Sequence, residues 1–148
     1  MIPPFTASGA LSTGEHAVTW DELIKRFNTN PHRGYLLGGL RAGLESLRSA
    51  GCSTVWIDGS FITSKDQPGD IDVLYDDIGL DWDALERIEP VLLEFSQHRA
   101  AQKRKFGCEF FAATWQATIG GEPFLTFFQQ DRDGTPKGIL KLGLKELP

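Results

Sequence analysis

Apolar residues recur at three- and four-residue intervals early in the chain and in short β-branched or aromatic runs later. This pattern predicts amphipathic helices followed by brief strands. Thr19 to Glu22 reads as a capping box, Thr-x-x-Glu, opening a short helix through about Phe27. Asn30-Pro31 is a second start signal, after which Leu36, Leu37, Leu40, Leu44 and Leu47 follow helical spacing until Gly51 supplies a left-handed stop. Gly34, Gly38, Gly39 and Gly43 oppose that helix by up to about 1 kcal/mol each relative to Ala. Close packing against a neighbouring element is their expected reason.

Thr54-Val55-Trp56-Ile57 ends in Asp58-Gly59-Ser60 and reads as a strand feeding a turn. A polar loop from Thr63 to Gly69 follows, and Asp70 to Tyr75 returns to strand character. The segment between the two strands is too short for a helical crossover, so they are expected to be adjacent in an antiparallel or mixed sheet. Asp81 predicts a helix through Arg87, and Pro90 another that carries Val91, Leu92, Leu93 and Phe95 up to a basic end. Strands are expected at Cys108 to Ala113 and Gly138 to Leu142, with one or two helical turns at Pro123 to Gln129 and a polar loop at Asp131 to Gly134. Residues 1–18, rich in Pro, Gly, Ser and Thr, read as an irregular arm lying on the domain. The expectation is one α/β (α+β) domain over 1–148, a small mixed β-sheet flanked by helices.

Composition narrows the function classes. A chain of 148 residues, 41% hydrophobic and 24% charged, suits one globular domain, and ten Phe with four Trp supply a large apolar core. The opening residues lack a charged region followed by an apolar one, and no later stretch is apolar enough to span a bilayer, so a cytoplasmic protein with no membrane partner is expected. A formal charge of -5 argues against a protein that coats nucleic acid. The exception is the cluster Arg99, Lys103, Arg104 and Lys105, which either meets a helix C-terminal dipole or contacts phosphate or RNA. Cys52 and Cys108 fit no zinc or redox spacing and read as reduced, buried thiols.

The chemistry gathers between residues 58 and 72. Residues two apart on a strand share a face, so Asp70 and Asp72 project two carboxylates side by side while Ile71 and Val73 face the core. Such a pair repels itself, and a hard divalent cation such as Mg²⁺ or Mn²⁺ relieves it. Gly59 lets the backbone approach a ligand, and Ser60 offers a hydroxyl and an amide to an oxyanion. Solvated aspartates at a strand edge are the plainer alternative.

The stretch IDGSFITSKDQPGDIDVLYD is similar to the signature of the DNA polymerase β-type nucleotidyltransferase superfamily, a Gly-Ser turn followed after about ten residues by Asp-x-Asp. GEHAVTWDEL, RFNTNPHR, IDGSFITSKDQPGDID, AQKRKFGCEFF and FFQQDRDGTPKGI extend the similarity, over nearly the full length, to a small uncharacterised microbial subfamily. The resemblance implies a nucleotidyltransferase-like core in which Gly59 and Ser60 hold the phosphates of a nucleoside triphosphate and Asp70 and Asp72 bind the metal. It also implies a third acid on a later strand, for which Glu109 is the candidate and Glu122, in a Gly-rich turn, the poorer one. Small antitoxin-like members carry Ala-Arg-Gly soon after the serine, whereas this chain has Phe61-Ile62-Thr63. Lys65 and Lys137 are the residues available to supply the missing positive charge, or they are simply solvated.

Other chemistries fail on specifics. Asp58-Gly59-Ser60 reverses the order of an aspartic-protease motif, Asp131 to Gly134 does not continue as a calcium loop, and His16, His32 and His98 have no ligand-like spacing. The implied activity is Mg²⁺-dependent transfer of a nucleoside monophosphate from a triphosphate to a hydroxyl of a protein or of an RNA such as tRNA, in a toxin-antitoxin or phage-defence setting. An acceptor would dock on this surface or on a second copy in a homo-oligomer, and a toxin is the protein partner such a setting implies. The alternative is a degenerate member that binds a nucleotide or a partner without turnover.

Overall fold

The computed structural model describes residues 1–148. Five strands form one mixed sheet: β1 (Gly14–Val18), β2 (Thr54–Asp58), β3 (Ile71–Tyr75), β4 (Cys108–Ala112) and β5 (Gly138–Gly143), in the order β1-β5-β2-β3-β4. The two outer pairs, β1 with β5 and β3 with β4, are parallel, and β2 runs antiparallel to both β3 and β5. This is the α+β class that the pattern predicts, with the β2–β3 antiparallel pairing included.

Helices α1 (Trp20–Phe27) and α2 (Pro31–Ser49) precede β2, and α3 (Trp82–Ile88) and α4 (Ser96–Phe106) connect β3 to β4. Their start signals act as expected. Thr19 and Glu22 form a reciprocal capping box, Asn30 accepts from the Arg33 amide, and Asp81 accepts from the Ala84 amide. The helices bury Leu23, Phe27, Leu40, Leu44, Leu47 and Leu85 against Val55, Ile57, Ile71, Val73, Phe110, Leu140 and Leu142 of the sheet. The glycines of α2 divide sharply. A side chain at Gly39 would overlap the Phe106 carbonyl and one at Gly43 the Phe110 ring, whereas Gly38 has nothing near it.

Three expectations are corrected. Residues 1–18 do not stay irregular to their end, because Gly14–Val18 forms an edge strand paired with β5. No continuous helix runs from Pro90 to the basic end. Pro90–Leu93 is a single 3-10 turn, and Gln97, His98 and Arg99 within α4 take left-handed φ angles of 52°, 54° and 61°. That reversal also breaks up the basic cluster. Arg99 swings onto β4, its Nε donating to the Phe110 carbonyl at 2.8 Å and its guanidinium lying 4.1 Å from the Phe111 ring centroid. Lys105 pairs with Glu89 at 2.6 Å, so four free cations do not gather at this helix end. Cys52 and Cys108 are free and buried, and no helix is long and apolar enough to cross a membrane.

The second face of the sheet carries the remaining features. Strand alternation sends Trp56, Leu74, Phe111 and Ile139 to this side, where Phe124 and Leu125 of α5 (Phe124–Phe127) and Phe128 cover them. The next row on this face is acidic, with Asp58, Asp72 and Glu109.

Candidate active site

Register defines the site. Asp58 on β2 stands opposite Asp72 on β3, and Asp72 stands opposite Glu109 on β4. Directly paired residues share a face with Cβ atoms about 5 Å apart, so three carboxylates lie in a row across three neighbouring strands. Asp70 precedes β3 by one residue and adds a fourth. Asp58, Asp70 and Asp72 line a cleft of about 1100 Å³ between the end of β2 and the start of β3, the segment Thr6–Thr13 and the segment Phe127–Lys137. Glu109 extends the row outside the lining of that cleft.

The turn that feeds the row depends on Gly59. Its φ is +92°, and a side chain there would press on the Asp70 carbonyl and the Asp72 amide, each 3.1 Å from the added carbon. Ser60 opens one 3-10 turn, Ser60–Ile62. Its amide donates to Asp70 Oδ1 at 2.8 Å, its hydroxyl donates to the same oxygen, and that hydroxyl accepts from the Gly69 amide at 3.1 Å. The two donors expected to meet a phosphate are therefore engaged by the first carboxylate of Asp-x-Asp.

The cleft is electrostatically one-sided. Asp58, Asp70, Asp72, Glu122 and Asp131 line it, against Arg132 and Lys137. Burial, followed by the negative charges of Asp70, Asp58 and Glu109, pushes the Asp72 carboxyl up to about 8. Asp58 is 1% exposed, and burial raises its carboxyl although Lys137 opposes the shift. Its Oδ1 is paired with Lys137 Nζ, while its Oδ2 is buried with no hydrogen-bond partner.

The sequence-predicted residues thus divide. Gly59, Ser60, Asp70 and Asp72 meet in the cleft, and Glu109 occupies the register position beside Asp72. Glu122 lines the cleft from the turn ahead of α5 and accepts from Gln130 at 2.6 Å. Lys65 is exposed and does not line the cleft, so the position expected to supply positive charge does not do so. Lys137 is the lysine that reaches the site. No three His, Cys, Asp or Glu side chains converge as a ready cation cage, because Asp70 is turned toward Ser60 and Asp58 toward Lys137.

Two participants were missed. The first is Asp58, although the alternation Thr54, Trp56, Asp58 against the core residues Val55 and Ile57 already places it on the face of Asp72. The second is Arg33, the last residue of the segment RFNTNPHR, to which no role was given. It is 3% exposed at the start of α2, and its guanidinium donates to the carbonyls of Phe61 at 2.6 Å, Thr63 at 2.9 Å and Lys65 at 2.5 Å. Asn30 and His32 hold the other half of the same loop through the Asp66 and Pro68 carbonyls at 2.8 and 2.6 Å. One helix terminus therefore pins the whole connection between Ser60 and Asp70.

In comparison with known proteins, residues 3–143 match the model of a family described as a family of unknown function, DUF6932. No curated protein and no solved structure matches the chain.

Proposed function

The chain belongs to the DUF6932 family, and we propose that it is a Mg²⁺- or Mn²⁺-dependent nucleotidyltransferase that moves a nucleoside monophosphate from a triphosphate to a hydroxyl of a protein or RNA. The observation that carries this reading is the meeting of Asp58, Asp70 and Asp72 with the Gly59-Ser60 turn in one cleft, with Glu109 beside Asp72 in register just outside its lining. Acidic side chains outnumber cations in the cleft, and those that are ionised repel a triphosphate unless divalent cations accompany it. The carboxylates that meet here offer only oxygen donors, which fits a hard cation, and beside them Asp58 Oδ2 is buried without a hydrogen-bond partner.

Asp70, Asp72 and Glu109 would hold the ion. When bound, it would neutralise the phosphates and lower the pKa of the attacking hydroxyl. Ser60 would exchange its bonds to Asp70 for phosphate oxygens, with Gly59 leaving room for their approach. Phe127 and Phe128 offer apolar surface to the cleft. The acceptor oxygen would bond to the α-phosphorus as pyrophosphate departs, its proton passing to solvent, and positioning would supply most of the acceleration.

A binding module without turnover is the second reading, favoured by the commitment of both Ser60 donors to Asp70. Incubation with each labelled nucleoside triphosphate, Mn²⁺, tRNA and candidate protein acceptors separates the two. Label transfer that disappears in Asp70→Asn and Asp72→Asn supports the enzyme. Nucleotide binding without transfer under every condition supports the module.

A further inference from the structure

Asp58 lies outside the Asp-x-Asp pair, yet it is the most buried acid of the cleft. A carboxylate withdrawn from water needs a full set of partners, and this one has half of them. Oδ1 has Lys137, whereas Oδ2 has nothing. Lys137 is one residue ahead of β5, its backbone held by the bond from its amide to the Gln129 carbonyl at 2.9 Å. Its side chain, about a quarter exposed, crosses from that segment to the end of β2. A flexible four-carbon stem ending in a point charge can leave such a position with little change to the backbone.

We propose that Asp58 is an additional cation ligand of this site and that Lys137 is a tethered counter-cation occupying it, displaced when a divalent ion enters. The proposal rests on the reading of the cleft as a metal site. It assigns Asp58, opposite Asp72 in register, to the ion's coordination sphere, and it makes the Lys137 ammonium and the ion mutually exclusive. Lys137, once released, remains at the cleft and is free to meet the phosphates that arrive with the ion. An acidic row of this density keeps its fold without metal because one charge is covered from within.

The test measures Mn²⁺ binding by electron paramagnetic resonance on wild type and on Lys137→Met, Asp58→Asn, the double variant and Asp72→Asn. Removing the internal competitor should tighten Mn²⁺ binding by about tenfold or more in Lys137→Met. Asp58→Asn should weaken it by a similar factor, and Asp72→Asn should abolish it. The double variant restores charge balance at the buried position, so it keeps the comparison valid if Lys137→Met folds poorly, and its Mn²⁺ affinity should match that of Asp58→Asn. Wild type that binds Mn²⁺ through Asp72, with Lys137→Met unchanged or weaker, overturns the lysine's role and leaves the metal site standing. Loss of binding in Asp72→Asn but not in Asp58→Asn overturns the ligand assignment. Absence of Mn²⁺ binding in every protein overturns both the proposal and the metal site. Binding gained only in Lys137→Met supports it.

Discussion

Asp72→Asn should stabilise the metal-free protein at neutral and alkaline pH while removing any activity. In the fold the Asp72 carboxyl holds its proton up to about pH 8, against an ordinary value of 3.8. The sign follows from proton counts. Between those two values the folded state binds more protons than the unfolded chain, so stability falls as pH rises through the window, and asparagine carries no such penalty. A tenfold change in proton affinity is worth about 1.4 kcal/mol, which makes the gap on the order of 5 kcal/mol by pH 8. At about pH 4 the two side chains are both neutral and nearly isosteric, and the proteins should melt together. At pH 8 the variant should melt higher by roughly 10 to 20 °C for a chain of this size. Urea and thermal unfolding in the presence of a chelator, from pH 4 to pH 9, give the measurement. Parallel curves for the two proteins, or a variant less stable at pH 8 than at pH 5 relative to wild type, would refute the crowded-carboxylate account.

Three further predictions follow from packing and access. Gly39→Ala should cost about 3 kcal/mol or more, because the added carbon overlaps the Phe106 carbonyl, whereas Gly38→Ala on the same helix should gain about 0.5 to 1 kcal/mol; chemical denaturation of the pair distinguishes clash from propensity. Arg33→Met should lose about 3 kcal/mol with its carbonyl bonds. Hydrogen exchange in residues 60–66 should rise well beyond the rest of the chain, and unchanged protection there would remove Arg33 as the pin of the loop. Cys52, whose thiol burial pushes up to about 11, and Cys108, also shifted up by burial, should resist a thiol reagent at pH 8 until denaturant is added; rapid labelling of the folded protein would contradict that burial.

Local signals carried most of the scaffold into view. The capping box at Thr19, the Asn30-Pro31 start and the run Thr54 to Ile57 each encode their outcome within a few residues, and the structure follows them. Asp70 and Asp72 were legible because a strand has a period of two, whereas Glu109 was reached only through the resemblance and its place beside Asp72 needed the pairing of β3 with β4. What escaped depends on partners distant in sequence. Gly14–Val18 is a strand only by virtue of β5, and Arg99 leaves its helix axis for a carbonyl and a ring on β4. Arg33 donates to backbone carbonyls, whose positions no residue pattern announces, and lies 5.0 Å from the Phe61 ring centroid. Lys137 and Asp58 are 79 residues apart, and neither identifies the other before the sheet brings β2 and β5 side by side.

The edge pairing of β1 with β5 also sets an order of assembly. The central antiparallel pair β2–β3 closes over a short loop, but β1 must wait for a partner roughly 120 residues further along, and non-local pairings of this kind form late. The same late arrival delivers Lys137 to Asp58. A nascent chain that has folded through β4 therefore exposes its acidic row before the counter-charge exists, and it should cling to any available cation or solubilising factor until translation supplies its own.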